Sequence, residues 1–260
     1  MTHLSISHKF SYSRSHRRPS PITRSILPGL TTFQFNGVSE YLEDLVAQVD
    51  TPRLDHLFIT FLDQMGFDTP HLIQFISRIP KFEEPNEAHF TLDANIDVQL
   101  LWASDDHATF HVEILYDDTG ETPQPSSIAQ VCAMCLPPLP TVENLRLGVF
   151  TEDLSEFDYS EDLENEQWLE VLRQFTAVKN LYLSKESTHS IAVALQEFIG
   201  SRITEILPNL QNIFVEELEP SEPHYKDIRQ FVTARQLSDR PIAISQIVTY
   251  SELRRRWFSS

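Results

Sequence analysis

Glycine and cysteine are both scarce in this chain of 260 residues, with six glycines and two cysteines. A doubly wound nucleotide-binding fold usually places several glycines at its phosphate turns, so the low glycine content argues mildly against that class. No hydrophobic run reaches the length of a membrane span, no Asn-x-Ser/Thr glycosylation site occurs, and nothing at the start resembles a secretory signal. These absences predict an intracellular protein, cytoplasmic or nuclear, with reduced thiols and no membrane partner.

Basic residues are also few, with 20 Lys and Arg against 38 Asp and Glu and a formal net charge of −18. An acidic body repels phosphate backbones, so we expect no nucleic-acid partner. Residues 1–25 contain no acid and are rich in Ser, His and Arg. We expect them to be a disordered leader, although a mitochondrial presequence has a similar composition. Residues 246–260 form a basic, aromatic tail that either frays or docks on a partner or on the acidic body.

Catalytic and metal-binding motifs are missing as well. The sequence contains no Gly-x-Ser-x-Gly elbow, phosphate-binding loop, His-Glu-x-x-His or dinucleotide fingerprint. Cys132 and Cys135 have the spacing of a redox or zinc pair, but no second pair exists and both fall on an apolar helix, which favours core cysteines. His107 and His111 lack a third ligand. We therefore expect no enzyme activity, no cofactor and no metal.

A six-residue pattern recurs along the chain: apolar, two variable residues, apolar, variable, apolar. It occupies residues 30–35, 54–59, 142–147, 178–183 and 210–215. Three of the copies have asparagine at the third place, and a proline stands two residues before the first apolar place in four of them. Proline there ends the preceding helix and holds the chain extended. Each copy therefore predicts a short strand with one buried face.

Helical stretches separate these strands. Apolar residues recur at helical spacing in 38–49, 71–79, 126–136, 165–175, 190–207 and 225–237. Alternation of strand and helix predicts parallel strands joined by helical crossovers. Successive copies that are joined by a single helix lie 24, 36 and 32 residues apart. These spacings favour a leucine-rich-repeat solenoid over residues 26–245, with strands on the concave side and helices on the convex side.

The middle of the chain, residues 80–125, interrupts the pattern. It offers three strand-like segments, 88–92, 98–102 and 109–115, separated by acidic turns. We interpret it as one or two repeats whose helices have shrunk to turns. An inserted hairpin is the alternative.

Several stretches resemble the sequences of a known protein family. They are Asn165–Leu172, Phe175–Leu183, Pro208–Phe214, Phe231–Ser238, Val38–Leu45 and residues 51–75. Together they are similar to basidiomycete (fungal) F-box-like leucine-rich-repeat proteins over roughly residues 26–245. The resemblance implies a binding array behind an F-box that docks a Skp-type adaptor of a cullin-based ubiquitin ligase. This chain departs from the family there, because the residues before the first repeat are Ser- and Arg-rich, and we expect the F-box to be missing.

The third and fifth places of each strand pattern face the concave side of such an array. Seven of the residues at these places are candidate partner-binding residues: Gln34, Phe58, Arg146, Asn180, Tyr182, Asn212 and Phe214. Aromatic and Arg side chains are enriched at protein interfaces, so we expect a non-catalytic groove for a protein partner. A neighbouring loop or tail that covers the rings is the alternative. A truncated paralogue acting as a scaffold and an unrecognised enzyme are the competing functions.

Overall fold

The computed structural model describes residues 2–7, 23–62, 68–102, 108–116, 125–134, 136, 139–149, 161–197, 199, 205–216 and 223–247. The chain divides into two compact units, Met1–Leu139 and Pro140–Ser260. Both are mixed α/β, and strands and helices alternate along most of the chain. The predicted α/β class with predominantly parallel strands is therefore confirmed.

The first unit contains eight strands and three α-helices within the described residues. The strands are β1 (His3–Ser7), β2 (Ser25–Ile26), β3 (Thr32–Gly37), β4 (Val49–Asp50), β5 (His56–Leu62), β6 (Glu87–Leu92), β7 (Ile96–Leu101) and β8 (Thr109–Leu115). The helices are α1 (Ser39–Val46), α2 (Pro70–Ile76) and α3 (Pro125–Met134), and a 3-10 turn covers Pro80–Phe82. Six strands form one sheet in the order β1-β3-β5-β8-β7-β6, while β2 and β4 pair separately.

The middle of the chain is an antiparallel meander. Strand β8 pairs parallel with β5, but β7 runs antiparallel to both β8 and β6. Only residues 93–95 separate β6 from β7, whereas a parallel pair needs a crossover of a dozen or more residues. The interpretation as shrunken repeats is therefore wrong, and the inserted hairpin is confirmed.

The predicted disordered leader needs a correction at its start. Residues 3–7 form the edge strand β1, which pairs parallel with β3 from His3 opposite Thr32 to Ser7 opposite Asn36. The carbonyl oxygen of Thr2 accepts hydrogen bonds from the backbone N–H groups of Thr31 and Thr32. The alternation around Leu4 and Ile6 covers too few residues to predict a strand from the sequence. The stability of β1 comes from its pairing with β3. Residues 8–22 lie outside the described residues.

Helices α1 and α2 are joined through a buried carboxylate. Glu43 is 7% exposed and accepts hydrogen bonds from the backbone N–H groups of His71 (2.9 Å) and Leu72 (2.7 Å). These N–H groups belong to the first turn of α2 and have no partner within the helix. Glu43 therefore fixes the start of α2 against α1, while Leu42 and Val46 bury the apolar side of α1.

The second unit is a regular alternation of strands and helices. Its strands are β9 (Asn144–Val149), β10 (Asn180–Leu183), β11 (Asn212–Glu216) and β12 (Ala243–Ile247), and its helices are α4 (Glu161–Arg173), α5 (Lys185–Gln196) and α6 (Pro223–Leu237). The four strands pair in chain order and all in parallel. Strand β12 was not predicted, and the expected boundary at residue 246 falls inside it. Its exposed, weakly alternating side chains give it no core signal.

The core of the second unit lies on one side of its strands. Leu145, Leu181 and Ile213 occupy the same register position on adjacent strands and are fully buried. Trp168 of α4 and Phe231 of α6 are buried as well. Each buried side chain of this size stabilises the fold by about 1.5–3 kcal/mol.

Helix α5 starts five residues earlier than the sequence pattern predicted, at Lys185 instead of residue 190. Ser184 is its N-cap, because the Ser184 hydroxyl oxygen accepts a hydrogen bond from the backbone N–H of Ser187. The apolar periodicity begins only at Ile191, so it could not show the polar first turns. The predicted continuation of this helix to residue 207 is also wrong, since α5 ends at Gln196.

Candidate interaction surface

The strands of the second unit have one buried and one open face. On β10, Leu181 and Leu183 are fully buried, whereas Asn180 and Tyr182 are only half-buried. The same alternation holds over the first four residues of β9 and of β11. Because neighbouring strands are in register, the open-face residues form straight rows across the sheet. The predicted alternation of buried and outward-facing places in the strand pattern is therefore seen in these three strands.

The first row is a ladder of asparagines. Asn180 donates from Nδ2 to Oδ1 of Asn144 at 2.8 Å, and Asn212 donates from Nδ2 to Oδ1 of Asn180 at 2.7 Å. The strand spacing of roughly 4.8 Å lets one primary amide reach the next. The ladder therefore ties three strands together on the side away from the core, and it adds Asn144 to the predicted set.

The second row is a stack of flat side chains. The guanidinium carbon of Arg146 lies 4.0 Å from the centre of the Tyr182 ring. The Tyr182 and Phe214 rings stack with their centres 4.6 Å apart and their planes 11° apart. Strand register sets these distances, because Arg146, Tyr182 and Phe214 are direct neighbours on β9, β10 and β11. We call these three residues the aromatic strip.

The aromatic strip ends beside a small residue. The next place in the row belongs to Ser245 of β12, which is exposed and pairs with Phe214. A serine covers little of the Phe214 ring, and Phe214 itself is only half-buried. One more planar or apolar side chain could therefore stack on Phe214 above Ser245. This place was missed in the sequence because β12 was missed.

The open face of the first unit has a different chemistry. Phe58 is half-buried, and Gln34 and His111 are its neighbours on β3 and β8. The rings of Phe58 and His111 meet edge to face with centres 6.1 Å apart, and His56 lies 6.2 Å from Phe58. The sequence predicted Gln34 and Phe58 but weighed His111 only as a metal ligand. The alternation of apolar and polar residues over 109–115 was the signal that could have placed His111 on this face.

His111 is held by a carboxylate on the next strand. Its Nε2 lies 2.5 Å from Oδ2 of Asp97, and both side chains are about one-fifth exposed. Burial disfavours the charged imidazole and would by itself lower the pKa of His111. The hydrogen bond and charge of Asp97, together with the charge of Glu113, outweigh burial and raise the pKa of His111 above its usual value. The raised pKa reports a negative local potential.

The structure divides the seven predicted partner-binding residues between the two units. Arg146, Tyr182 and Phe214 form the aromatic strip, and Asn180 and Asn212 belong to the asparagine ladder beside it. Gln34 and Phe58 lie on the first unit, and Gln34 is exposed. The second unit therefore brings five of the seven together on one face.

The other chemical candidates give no site among the described residues. Cys132 is buried, as predicted, and Cys135 and His107 lie outside the described residues. Among the side chains that the structure describes, no group of three His, Cys, Asp or Glu is placed to hold a metal ion. In the same part of the chain, no helix is both long enough and apolar enough to cross a bilayer.

Comparison of the chain with protein-family models, with curated proteins and with solved structures finds no match. The resemblance of the repeats to fungal F-box-like proteins therefore stays a prediction.

Proposed function

We propose that this chain is a non-catalytic, protein-binding domain of the leucine-rich-repeat type, which takes its partner on the open faces of its strands. The observation that supports this function best is the aromatic strip. Arg146, Tyr182 and Phe214 are half-buried and lie on the face opposite the core. Large aromatic and Arg side chains grouped on one surface are typical of the centres of protein interfaces.

The regular second unit supports the repeat architecture. Its strands follow one another in parallel, each pair is joined by one helix, and the pattern residues keep the same register. A repeat that cannot bury its apolar face alone gains a continuous core by stacking on its neighbour. In such an array the strands line the concave side, which is the surface that solenoids use for binding.

The resemblance of the repeats extends the proposal to a class of partner. It implies that the bound protein is presented to a cullin-type ubiquitin ligase through a Skp-type adaptor. A scaffold without ligase association is the alternative. Affinity purification of the full chain separates the two: recovery of a Skp-type adaptor with a cullin supports the ligase, and partners without them support the scaffold.

The binding surface is tested with paired variants of the full chain. Tyr182→Ala and Phe214→Ala remove the rings of the aromatic strip, and Ser245→Phe fills the open place beside Phe214. All three should reduce the recovery of the same partners in quantitative affinity purification. The strip contributes about 0.5–1.5 kcal/mol per stacked pair, so each variant should stay folded.

A matched control is available on helix α6. Tyr225 lies under Arg229, with the guanidinium carbon 5.4 Å from the ring centre, and thus repeats the Arg–Tyr pair away from the strands. Tyr225→Ala should leave partner recovery unchanged. Equal recovery with the strip variants and with the wild-type chain would show that the strip is not the binding surface.

A further inference from the structure

The strand residues on the open face of the first unit include carboxylates and histidines but no Lys or Arg. The face consists of every second residue of six strands: His3, Ser5, Ser7, Thr32, Gln34, Asn36, His56, Phe58, Thr60, Leu62, Glu87, His89, Thr91, Asp97, Gln99, Leu101, Thr109, His111, Glu113 and Leu115. Three of these residues are carboxylates and none is Lys or Arg. Its permanent charges are therefore all negative, although four histidines, His3, His56, His89 and His111, lie among them.

Two of the carboxylates stand directly opposite each other. Asp97 on β7 pairs with Glu113 on β8 in antiparallel register. Like charges in directly opposite positions destabilise a sheet. His111 contacts Asp97, and the Thr60 hydroxyl donates to Glu113 at 3.4 Å, but Thr60 has no charge. One imidazole offsets at most one of the two negative charges, so the pair attracts a further cation.

An apolar ring lies one step from this pair. Phe58 of β5 pairs with His111 of β8. Two residues further along β5, Thr60 pairs with Glu113 of β8. Positions two apart on a strand are separated by roughly 7 Å. A Lys or Arg side chain has about that reach, with an apolar stem that lies on rings and a head that stays near carboxylates. The Phe58 ring and the carboxylates of Asp97 and Glu113 thus match both ends of one basic side chain.

We propose that this face, centred on Phe58, Asp97 and Glu113, docks an extended Lys- or Arg-rich segment of a partner protein. Charge complementarity selects the occupant, since the strand residues of the face offer two neighbouring carboxylates and an apolar ring, only one imidazole, His111, beside the carboxylates, and no Lys or Arg. The surface differs from the aromatic strip in residues and chemistry. If this face bound no basic segment, the proposal for the aromatic strip would still stand. If the aromatic strip bound no partner, the proposal for this face would still stand.

The test uses the full chain and a nine-residue probe peptide of alternating Arg and Ser with blocked ends. Fluorescence anisotropy gives its Kd at two salt concentrations. Asp97→Asn with Glu113→Gln should weaken binding at least about five-fold and reduce its salt dependence. Glu113→Gln alone, which leaves the contact between Asp97 and His111 intact, and Phe58→Ala should each weaken binding by a smaller factor.

The control changes the same net charge on a different surface. Glu40→Gln with Asp44→Asn removes two carboxylates from helix α1, and the Kd should stay within about two-fold of the wild-type value. Equal weakening by both double variants would mean that only the overall charge of the chain attracts the peptide, and would overturn the proposal. An unchanged Kd for the Asp97/Glu113 variant would also overturn it. The proposal would also be overturned if the chain self-associated with rising concentration and the Asp97/Glu113 variant did not, because a second copy of the chain would then be the occupant.

Discussion

Ser184 offers the sharpest test of how the second unit is held together. It is fully buried at the junction of β10 and α5. Its hydroxyl oxygen accepts from the backbone N–H of Ser187 at 3.2 Å and from the backbone N–H of Val149 at 3.1 Å. Ser187 in turn donates from its hydroxyl to the carbonyl oxygen of Leu147 at 2.9 Å. One serine thus caps a helix and satisfies the end of a neighbouring strand.

Replacing Ser184 with Ala should destabilise the unit through two separate losses. Removal of an N-cap side chain costs about 1 kcal/mol. The buried N–H of Val149 would then lack its partner, which costs about 1–3 kcal/mol. Together we expect a loss of about 2–4 kcal/mol in the free energy of unfolding. Ser184→Thr keeps the hydroxyl and should lose clearly less.

Urea unfolding followed by circular dichroism measures this loss as a shift of the midpoint at constant slope. The control is Ser238→Ala just after the end of α6, which removes an exposed hydroxyl that donates to the carbonyl oxygen of Ala234. It should change the free energy of unfolding by less than about 0.5 kcal/mol. If Ser184→Ala were no worse than Ser238→Ala, the assignment of Ser184 as cap and strand partner would be wrong.

Two further predictions concern the first unit. Because the pKa of His111 is raised in the folded state, its charged form stabilises the fold below the usual histidine pKa of about 6.5, and this stabilisation is lost as the pH rises through the higher folded-state pKa. The difference in urea midpoint between wild type and His111→Gln should therefore shrink from pH 6 to pH 8.5, and a constant difference would refute the coupling to Asp97. Glu43→Ala should lower the free energy of unfolding by about 1–3 kcal/mol, because two backbone N–H groups lose their acceptor. Glu40→Ala, on the exposed side of the same helix, should change it by less than about 0.5 kcal/mol, and an equal effect of both would contradict the capping role of Glu43.

Strand alternation made the faces of the sheet predictable, whereas strand order was predictable only in part. Leu181 and Leu183 were expected inside and Asn180 and Tyr182 outside, and the structure places them so. In the second unit each strand is followed by a helix, and a helical crossover leads to the next parallel strand. The order of strands then follows the order of the chain.

The first unit shows where this reasoning fails. Strand β8 pairs with β5 although β6 and β7 come between them in the chain. Alternation looks the same in parallel and antiparallel strands, so only the length of the connecting turns could distinguish the two. His111 was overlooked as a neighbour of Phe58 for this reason, since their contact joins residues that are 53 positions apart.

The asparagine ladder explains why the aromatic strip forms at all. Asn144, Asn180 and Asn212 differ from the rest of the pattern in being the same residue at the same place, and each primary amide can both donate and accept along the row. A slip of one residue would break these bonds and turn the buried leucines toward the open face. The register that satisfies the amides also brings Tyr182 and Phe214 into contact two residues later. Asn180 and Asn212, which were predicted from the sequence as partner-binding residues, thus also set the register of the strands, and the half-buried rings of Tyr182 and Phe214 are the contacts that we propose for a partner.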